Sequence, residues 1–207
     1  MQKNKNLLEL TLTLTSRLNL HSQDIVPLSD LAEYSTEKIK VGSLDLSSYY
    51  STENILPNKE GSTISSGLPA LNQVTKVMPG DTLLSNIRPY FKKIVFADRT
   101  GGCSNDVLCL HPKLPEYRYL VFLATYPDSF FDYVMTGAKG TKMPRGDKSQ
   151  ILDFKIRKPD SEALCKFNAI VSRIFDEITC RSKENESLSM VRNELLPRLI
   201  SGEIEII

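Results

Sequence analysis

The feature that most constrains this chain is a long C-terminal segment without glycine or proline. After Pro159 and Asp160, a residue type that caps helices, neither glycine nor proline occurs again until Pro197. Apolar residues recur there in alternating steps of three and four, which predicts one long helix with a coiled-coil seam. At about 1.5 Å per residue, such a helix extends roughly 60 Å. A helix longer than a small domain is wide cannot bury its whole seam against that domain, so the pattern predicts a second long helix.

The seam has a polar interruption near its middle. The residues predicted to face a partner are Leu164, Phe167, Val171, Ile174, Ile178, Leu188 and Leu195. The same alternating steps of three and four also place Arg181, Asn185 and Arg192 on the seam. These polar residues fit either a polar layer that sets the register or a short break near residues 183–187. The pattern is compatible with self-association, with docking of another protein, or with an arm that packs within the chain.

Residues 25–158 have short β-rich runs separated by turn residues. Four runs are predicted as strands, namely Thr82–Ile87, Lys93–Ala97, Asp106–Leu110 and Ile151–Arg157. Three others are predicted as short helices, namely Leu28–Tyr34, Glu116–Thr125 and Ser129–Met135. Turns are expected at Gly61, Gly67, Pro79-Gly80 and Gly101-Gly102. The predicted fold class is therefore α+β, one globular domain followed by the long helix, with the strand order left open.

The first 24 residues support two interpretations. Leu8, Leu10, Leu12 and Leu14 alternate as in a strand, whereas Leu7, Leu10, Leu14 and Leu18 recur as on one face of a helix. The predicted division is thus 1–24 as a segment of unclear role, 25–158 as the globular domain, and 159–207 as the helix.

Composition matters mainly through the distribution of charge. The chain of 207 residues carries 26 basic and 25 acidic residues, so its net charge of +1 indicates neither a nucleic-acid partner nor an acidic one. Residues 139–158, however, hold seven basic residues against Asp147 and Asp153, which makes this window the most basic in the chain. It is either a contact surface for an anionic partner or a solvated basic loop.

Neither catalytic nor metal-binding patterns emerge from the sequence. Cys103 and Cys109 are too widely spaced for a zinc knuckle, and the four cysteines are expected to be reduced and buried. His21 and His111 are isolated and are expected to be structural. The Gly137–Lys142 run lacks the spacing of a phosphate-binding loop. We therefore expect no cofactor, no metal and no catalysis, and, with no long apolar stretch, a cytoplasmic protein that does not contact the membrane.

Five segments carry a resemblance to a known family. The run Gly80–Tyr90, followed by Lys92 and Lys93, resembles the GD-x-L-x-S-x-x-RP segment of target-recognition domains in the DNA-specificity subunits of type I restriction-modification systems. Four further segments resemble, in the correct order, the start of that domain, its middle strand, its last strand and the end of the family's long helix: Ile25–Thr36, Ser104–Leu108, Phe154–Pro159 and Arg192–Ile204. Together they span about 180 residues.

The length of the chain departs from the family pattern. A full specificity subunit has two recognition domains and two long antiparallel helices, whereas this chain has room for one of each. Ser161-Glu162 stands where the family often has Glu-Gln, and residues 1–24 match nothing in it. The resemblance therefore implies a half-subunit that pairs with an identical copy.

The resemblance implies a non-catalytic role in DNA recognition. The chain would direct a methyltransferase, with a restriction subunit as an open further partner, and a homodimer would read a bipartite palindrome in double-stranded DNA. Lysine and arginine contacts to phosphate would supply affinity, and contacts to base edges would supply sequence specificity. The candidate DNA-binding residues are Asn86, Arg88, Tyr90, Lys92, Lys93, Lys139, Thr141, Lys142, Arg145 and Lys148.

Some of these residues have more than one predicted role. Because family members read different sequences, the shared Arg88-Pro89-Tyr90 is expected to maintain the fold or touch phosphate, and readout is expected in residues 41–72 and 136–148. Arg145 could read guanine bidentately. Asn105-Asp106 is interpreted as a polar pair at a strand edge.

Two other function classes remain open at this point. One is an interaction protein that does not read DNA, such as a silent recombination cassette or a methyltransferase decoy. The other is a small enzyme that acts on nucleic acid.

Overall fold

The structure, a computed structural model, describes residues 2–20 and 24–201. Its α-helices are α1 (Gln2–Leu20), α2 (Arg118–Thr125), α3 (Asp128–Thr136), α4 (Lys148–Leu152) and α5 (Ser161–Ile200). Its strands are β1 (Ile25–Pro27), β2 (Ala32–Tyr34), β3 (Lys38–Lys40), β4 (Tyr49–Tyr50), β5 (Gln73–Val77), β6 (Thr82–Ser85), β7 (Ile94–Phe96), β8 (Gly101–Cys103), β9 (Val107–Pro112) and β10 (Lys155–Arg157). His21 and the last three residues of the Arg192–Ile204 motif lie outside the described residues.

Two four-stranded sheets and one strand pair organise the globular part. One sheet has the order β2-β9-β6-β7 and is antiparallel throughout. The other has the order β3-β5-β8-β4, in which only β4 and β8 run parallel. β1 pairs antiparallel with β10, and the Lys158 N–H donates to the Asp24 carbonyl (2.9 Å). The chain therefore enters and leaves the globular part at the same place.

The central strands β6 and β9 are buried on both faces. On β6, Leu84 joins a large apolar cluster with the helices, while its neighbour Leu83 joins a second cluster with Val95 and Cys109. Because successive side chains of a strand point to opposite faces, a sheet covered on both sides requires a continuous apolar run. The sequence of β6 and β9 has this pattern, which explains why both strands were recognisable.

The inner part of α5 is built into the core. Asp160 caps the helix, because its carboxylate accepts the Ala163 N–H at 2.7 Å. Leu164, Phe167 and Val171 are buried in the large cluster. One turn further on, Phe175 packs on a group of three rings, with centroid distances of 4.7 Å to Phe96, 4.9 Å to Tyr119 and 5.7 Å to Phe122. These contacts fix the direction in which the helix leaves the globular part.

The N-terminal segment is a helix that packs against α5 and α2. Its buried face contains two threonines, Thr11 and Thr15. Their hydroxyls donate to the backbone carbonyls of Leu8 (2.7 Å) and Thr11 (2.8 Å) within the helix. Since each buried hydroxyl is satisfied locally, the threonines are tolerated on the packed face, and the helical alternative is the one that the structure adopts.

The α+β class and the long helix are confirmed, as are the strands at residues 82–85, 94–96 and 107–110 and the helices at 118–125 and 128–136. Three local predictions were wrong. Leu28–Tyr34 is a 3₁₀ turn followed by β2, Gly101-Gly102 lies in β8, and the first two residues of Ile151–Arg157 belong to α4. Gly101 has to be glycine because a Cβ there would lie 2.1 Å from the Ser48 carbonyl oxygen.

Candidate nucleic-acid interface

Two loops that are distant in sequence are joined by backbone hydrogen bonds; we call them the loop pair, residues 86–88 and 139–146. The Arg88 N–H donates to the Pro144 carbonyl (2.8 Å), and the Gly146 N–H donates to the Asn86 carbonyl (3.3 Å). Within the second loop, Lys139 and Arg145 exchange two backbone hydrogen bonds of 2.9 Å each. The structure therefore brings Asn86, Arg88, Lys139 and Arg145, all predicted from the sequence, into one surface region.

Asp106 anchors the loop pair to the start of β9. Its backbone carbonyl accepts the Asn86 N–H at 2.8 Å, and its carboxylate oxygen Oδ1 accepts a hydrogen bond from Arg145 Nη2 at 3.0 Å. The interpretation of Asp106 as a polar residue at a strand edge missed this contact. The Asn105-Asp106 pair is visible in the sequence, but Arg145, the partner of Asp106, lies 39 residues further along the chain.

Gly146 allows the two loops to approach closely. A Cβ at this position would lie 2.9 Å from Val134 Cγ1 and 3.1 Å from Asn86 Oδ1. The next residue, Asp147, caps α4 by accepting the Ser149 and Gln150 N–H groups. Hydrogen bonds, first from the Lys139 ammonium at 2.9 Å and then from that backbone, hold the pKa of Asp147 below its usual value. Lys139 is therefore a well-exposed cation with one carboxylate beside it.

The Arg88–Lys92 turn projects two aromatic rings into solvent. Arg88 (φ 50°) and Lys92 (φ 52°) both have left-handed backbone conformations, and the 3₁₀ turn Pro89–Phe91 lies between them. Such a conformation is uncommon for residues other than glycine and costs about 1–2 kcal/mol each. Tyr90 and Phe91 are exposed, with their ring centroids 4.7 Å apart. Within the described residues, the buried Arg88 Nε has no hydrogen-bond partner.

Lys92 and Lys93 have internal partners. Lys92 lies 2.7 Å from a carboxylate oxygen of Asp128 at the start of α3, and Lys59 forms an ion pair with the other oxygen. Hydrogen bonds from these two lysines lower the pKa of Asp128 to about 2. Lys93 is half-buried and donates to the Thr52 carbonyl, and this burial lowers its pKa. Lys93 therefore contributes less free charge to the surface than the sequence suggested.

The remaining candidates lie at the tip and at the end of the second loop. Thr141 and Lys142 are exposed at the tip. Lys148 begins α4 with its ammonium 5.8 Å from the centre of the Tyr34 ring, and the Tyr34 hydroxyl donates to the Lys148 carbonyl at 2.9 Å. Burial and, to a lesser extent, the nearby Asp147 charge raise the pKa of Tyr34. This tyrosine is therefore a neutral support for the basic surface.

The seam of α5 divides into an inner and an outer part. Leu164, Phe167 and Val171 are covered by the globular part of the same chain, so they are unavailable to a partner helix. This corrects the prediction that they face a partner. The pattern identified an apolar stripe, but it could not identify what covers the stripe. Ile174 and Ile178 are half-buried, which places them where the inner part ends.

Beyond that point most apolar side chains of α5 are exposed. Leu188 is 59% exposed, Val191 52% and Leu195 39%; we call these three residues the outer stripe. The sequence pattern did not predict Val191 as a seam residue, because the steps of three and four fall on its neighbour Arg192. At 3.6 residues per turn, the outer stripe lies roughly a third of the circumference away from the inner buried face. It therefore faces away from the surface to which the inner helix is attached.

The cysteines and His111 have defined surroundings in the structure. Cys103 and Cys109 are buried as expected, whereas Cys165 and Cys180 are exposed, and all four are free thiols. The His111 ring nitrogen Nδ1 lies 2.6 Å from the buried carboxylate of Asp81, which is a structural contact. Across residues 2–20 and 24–201, no group of three His, Cys, Asp or Glu residues could hold a metal. Within the same ranges, no helix is both long enough and apolar enough to cross a membrane.

Comparison with solved structures identifies the fold. The chain is similar to the S subunit of a type I restriction-modification system from M. genitalium, with a TM-score of 0.61 and 14% identity over 96% of this chain and 56% of that one. It is also similar to the HsdS subunit from Thermoanaerobacter tengcongensis, with a TM-score of 0.50 and 16% identity over 98% and 53%. A chain from a structure of the type I R-M system gives 0.50 and 14% over 95% and 52%.

No family model matches the chain, and no curated protein matches it. The structural likeness is therefore the finding that confirms the resemblance seen in the sequence. The chain has the fold of type I S subunits, and it spans about half the length of those with which it aligns.

Proposed function

We propose that this chain is a non-catalytic DNA-recognition subunit that directs a methyltransferase to a specific site. The observation that carries the proposal is the loop pair, which collects the exposed side chains of Lys139, Thr141, Lys142 and Arg145 on a domain with the S-subunit fold. A surface joined by backbone hydrogen bonds holds its side chains in fixed relative positions, which sequence reading requires. A solvated basic loop would not need this second attachment.

The basic residues divide by the kind of DNA contact they suit. Lys142, exposed and without a carboxylate beside it among the described residues, is suited to phosphate, as are Lys139 and Lys148. Contacts of this type supply salt-sensitive affinity without sequence preference. Thr141 and Arg145 are exposed and carry donors and acceptors that can distinguish base edges, whereas Asn86 is half-buried and its Oδ1 is covered. Arg88 is held within the loop pair by its backbone, which favours a structural or phosphate role.

We propose that two copies pair through the outer stripe and present two identical domains in opposite orientation. The support is that the outer stripe is exposed and that two copies together match the length of one aligned S subunit. A two-fold pair reads a palindrome in two halves, and the length of α5 sets the unread spacer between them. Methyltransferase docking, and docking of any restriction subunit, would use the assembled pair.

Co-expression with the cognate methyltransferase tests the proposal. Methylated adenines are mapped across genomic DNA by long-read sequencing, with the methyltransferase alone as the control. The expected result is a bipartite palindromic motif that requires this chain. An asymmetric motif with unrelated halves would refute the homodimer, and a stable complex without any motif would favour the decoy or silent cassette. DNA cleavage by the purified chain alone would instead indicate an enzyme.

A further inference from the structure

Arg145 is an exposed cation of the loop pair that is held both at its backbone and at its guanidinium. Its backbone is held on both sides, by the two hydrogen bonds with Lys139 and by the bridge to Ile87. Its guanidinium is held from a third direction by the Asp106 carboxylate at 3.0 Å. The side chain is nevertheless 57% exposed. Arg145 is thus held in place before any partner arrives, and it still faces solvent.

The contact with Asp106 leaves most of the guanidinium available. Nη2 donates one hydrogen bond to Asp106 Oδ1, and the described residues contain no further acceptor bonded to Arg145. A guanidinium has five N–H donors in a planar fork, so two parallel donors remain for an external group. Lys139 and Lys92, each beside a carboxylate, carry only an ammonium and cannot present such a fork.

The same carboxylate decides which external group fits. The fork can bind a phosphate or the O6 and N7 atoms of guanine. A phosphate oxygen on Arg145 would come within a few ångströms of the half-exposed Asp106 carboxylate, and the two negative charges would repel. The guanine acceptors are uncharged and avoid this repulsion. The pair therefore favours a base over the DNA backbone.

We propose that Arg145 reads a guanine in the major groove and that Asp106 is its positioning residue. This inference rests on the proposed DNA-recognition function. It adds that each half-site contains one guanine at a fixed position. Arg145 supplies specificity at that position, and Asp106 supplies orientation while opposing non-specific binding.

Three substitutions in the full chain, each co-expressed with the methyltransferase, test this assignment. Arg145→Lys keeps the charge but removes the fork, and Asp106→Asn keeps the shape but removes the negative charge. Lys142→Ala is the matched control, because it changes a cation at the tip of the same loop. Methylation rates are measured on duplexes carrying each of the four bases at every position of the mapped half-site. Thermal unfolding of each purified variant checks the fold.

Arg145→Lys should reduce discrimination at one guanine by about 10- to 100-fold and leave the other positions unchanged. Asp106→Asn should reduce discrimination at the same guanine by a smaller factor and raise affinity for unrelated DNA severalfold, since a repulsive charge is lost. Lys142→Ala should weaken methylation of all sequences equally. A merely structural role for Asp106 would lower both specific and non-specific binding.

Two results would overturn the inference, and they are distinguishable. If the wild-type chain directs a motif that Arg145→Lys leaves unchanged at every position, the assignment of Arg145 fails while the proposed function stands. If the wild-type chain directs no motif at all, the proposed function fails and the inference falls with it.

Discussion

Replacing Leu188 and Val191 together by alanine tests whether the outer stripe pairs two copies of the chain. Fully burying a leucine or valine side chain contributes about 1.5–3 kcal/mol. Because both side chains are just over half exposed in the single chain, their burial on pairing contributes roughly 1 kcal/mol each. A two-fold dimer buries four such side chains, and alanine retains part of that burial. The double variant should therefore lose about 3 kcal/mol of association free energy.

A loss of that size weakens the dimer on the order of a hundredfold, because each 1.4 kcal/mol is a factor of about ten. Sedimentation equilibrium over a range of concentrations measures the dissociation constant directly. Thermal unfolding of the globular part should not change, since both side chains are exposed and lie beyond the part of α5 that joins the core. Met190→Ala is the matched control. Met190 is 62% exposed and lies within one turn of Leu188, but it points about 200° away from Leu188 around the helix.

Two outcomes would refute the reasoning. If the double variant dimerises as tightly as the wild type, the outer stripe is not the interface. If Met190→Ala weakens the dimer equally, the contact is not confined to the predicted face of the helix. A wild-type chain that stays monomeric at every concentration, while still directing methylation, would replace the homodimer by a single copy on another partner.

Three further predictions concern stability. Phe175→Ala should lower the free energy of unfolding by about 3–5 kcal/mol, because it empties the centre of the ring cluster; an unchanged denaturant midpoint would contradict the packing described. Gly146→Ala should cost about 1–3 kcal/mol, since the added Cβ meets Val134, and DNA affinity should fall with it, as a filter-binding titration can check. Asp128, with its pKa lowered from 3.8 to about 2, stabilises the fold above pH 4 and loses this effect as the pH falls towards 2. For this exposed group the difference between wild type and Asp128→Asn should stay below about 1 kcal/mol at pH 6 and vanish only below about pH 2; a constant difference would exclude the two lysines as its cause.

The parts of the fold that the sequence predicted are those with long, regular patterns. The apolar run of β9 and the step pattern of α5 repeat often enough to be recognised without tertiary context. Strands of two or three residues, such as β4 and β8, are too short to show a period, and only their pairing makes them strands. Gly101-Gly102 reads as a turn until the Ser48 backbone is placed against it. The sequence did not decide whether the first segment is a strand or a helix, because its leucines fit both the two-residue period of a strand and the 3.6-residue period of a helix.

The candidate site was predicted as a set of residues but not as an arrangement. The basic window around Arg145 is visible in the sequence, yet its contact with Asn86 and Asp106 depends on how distant segments fold together. Local sequence likewise cannot reveal that Lys93 is held by the Thr52 carbonyl. The same limit applies to α5, where Val171 and Leu188 carry the same pattern but one is covered by its own domain and the other is not.

The meeting of Asp24 and Lys158 has a consequence for how such a chain can change over time. A segment whose two ends lie together can be exchanged for another of the same kind without moving the helices on either side of it. The replacement must keep the surface that packs on α1 and on the buried inner face of α5, from Leu164 to Phe175. The rest of its surface, including the region around Arg145, is free to diverge. In the proposed two-fold assembly, a single exchange at residues 24 and 158 would give both halves a new target at once, with the spacing between them unaltered.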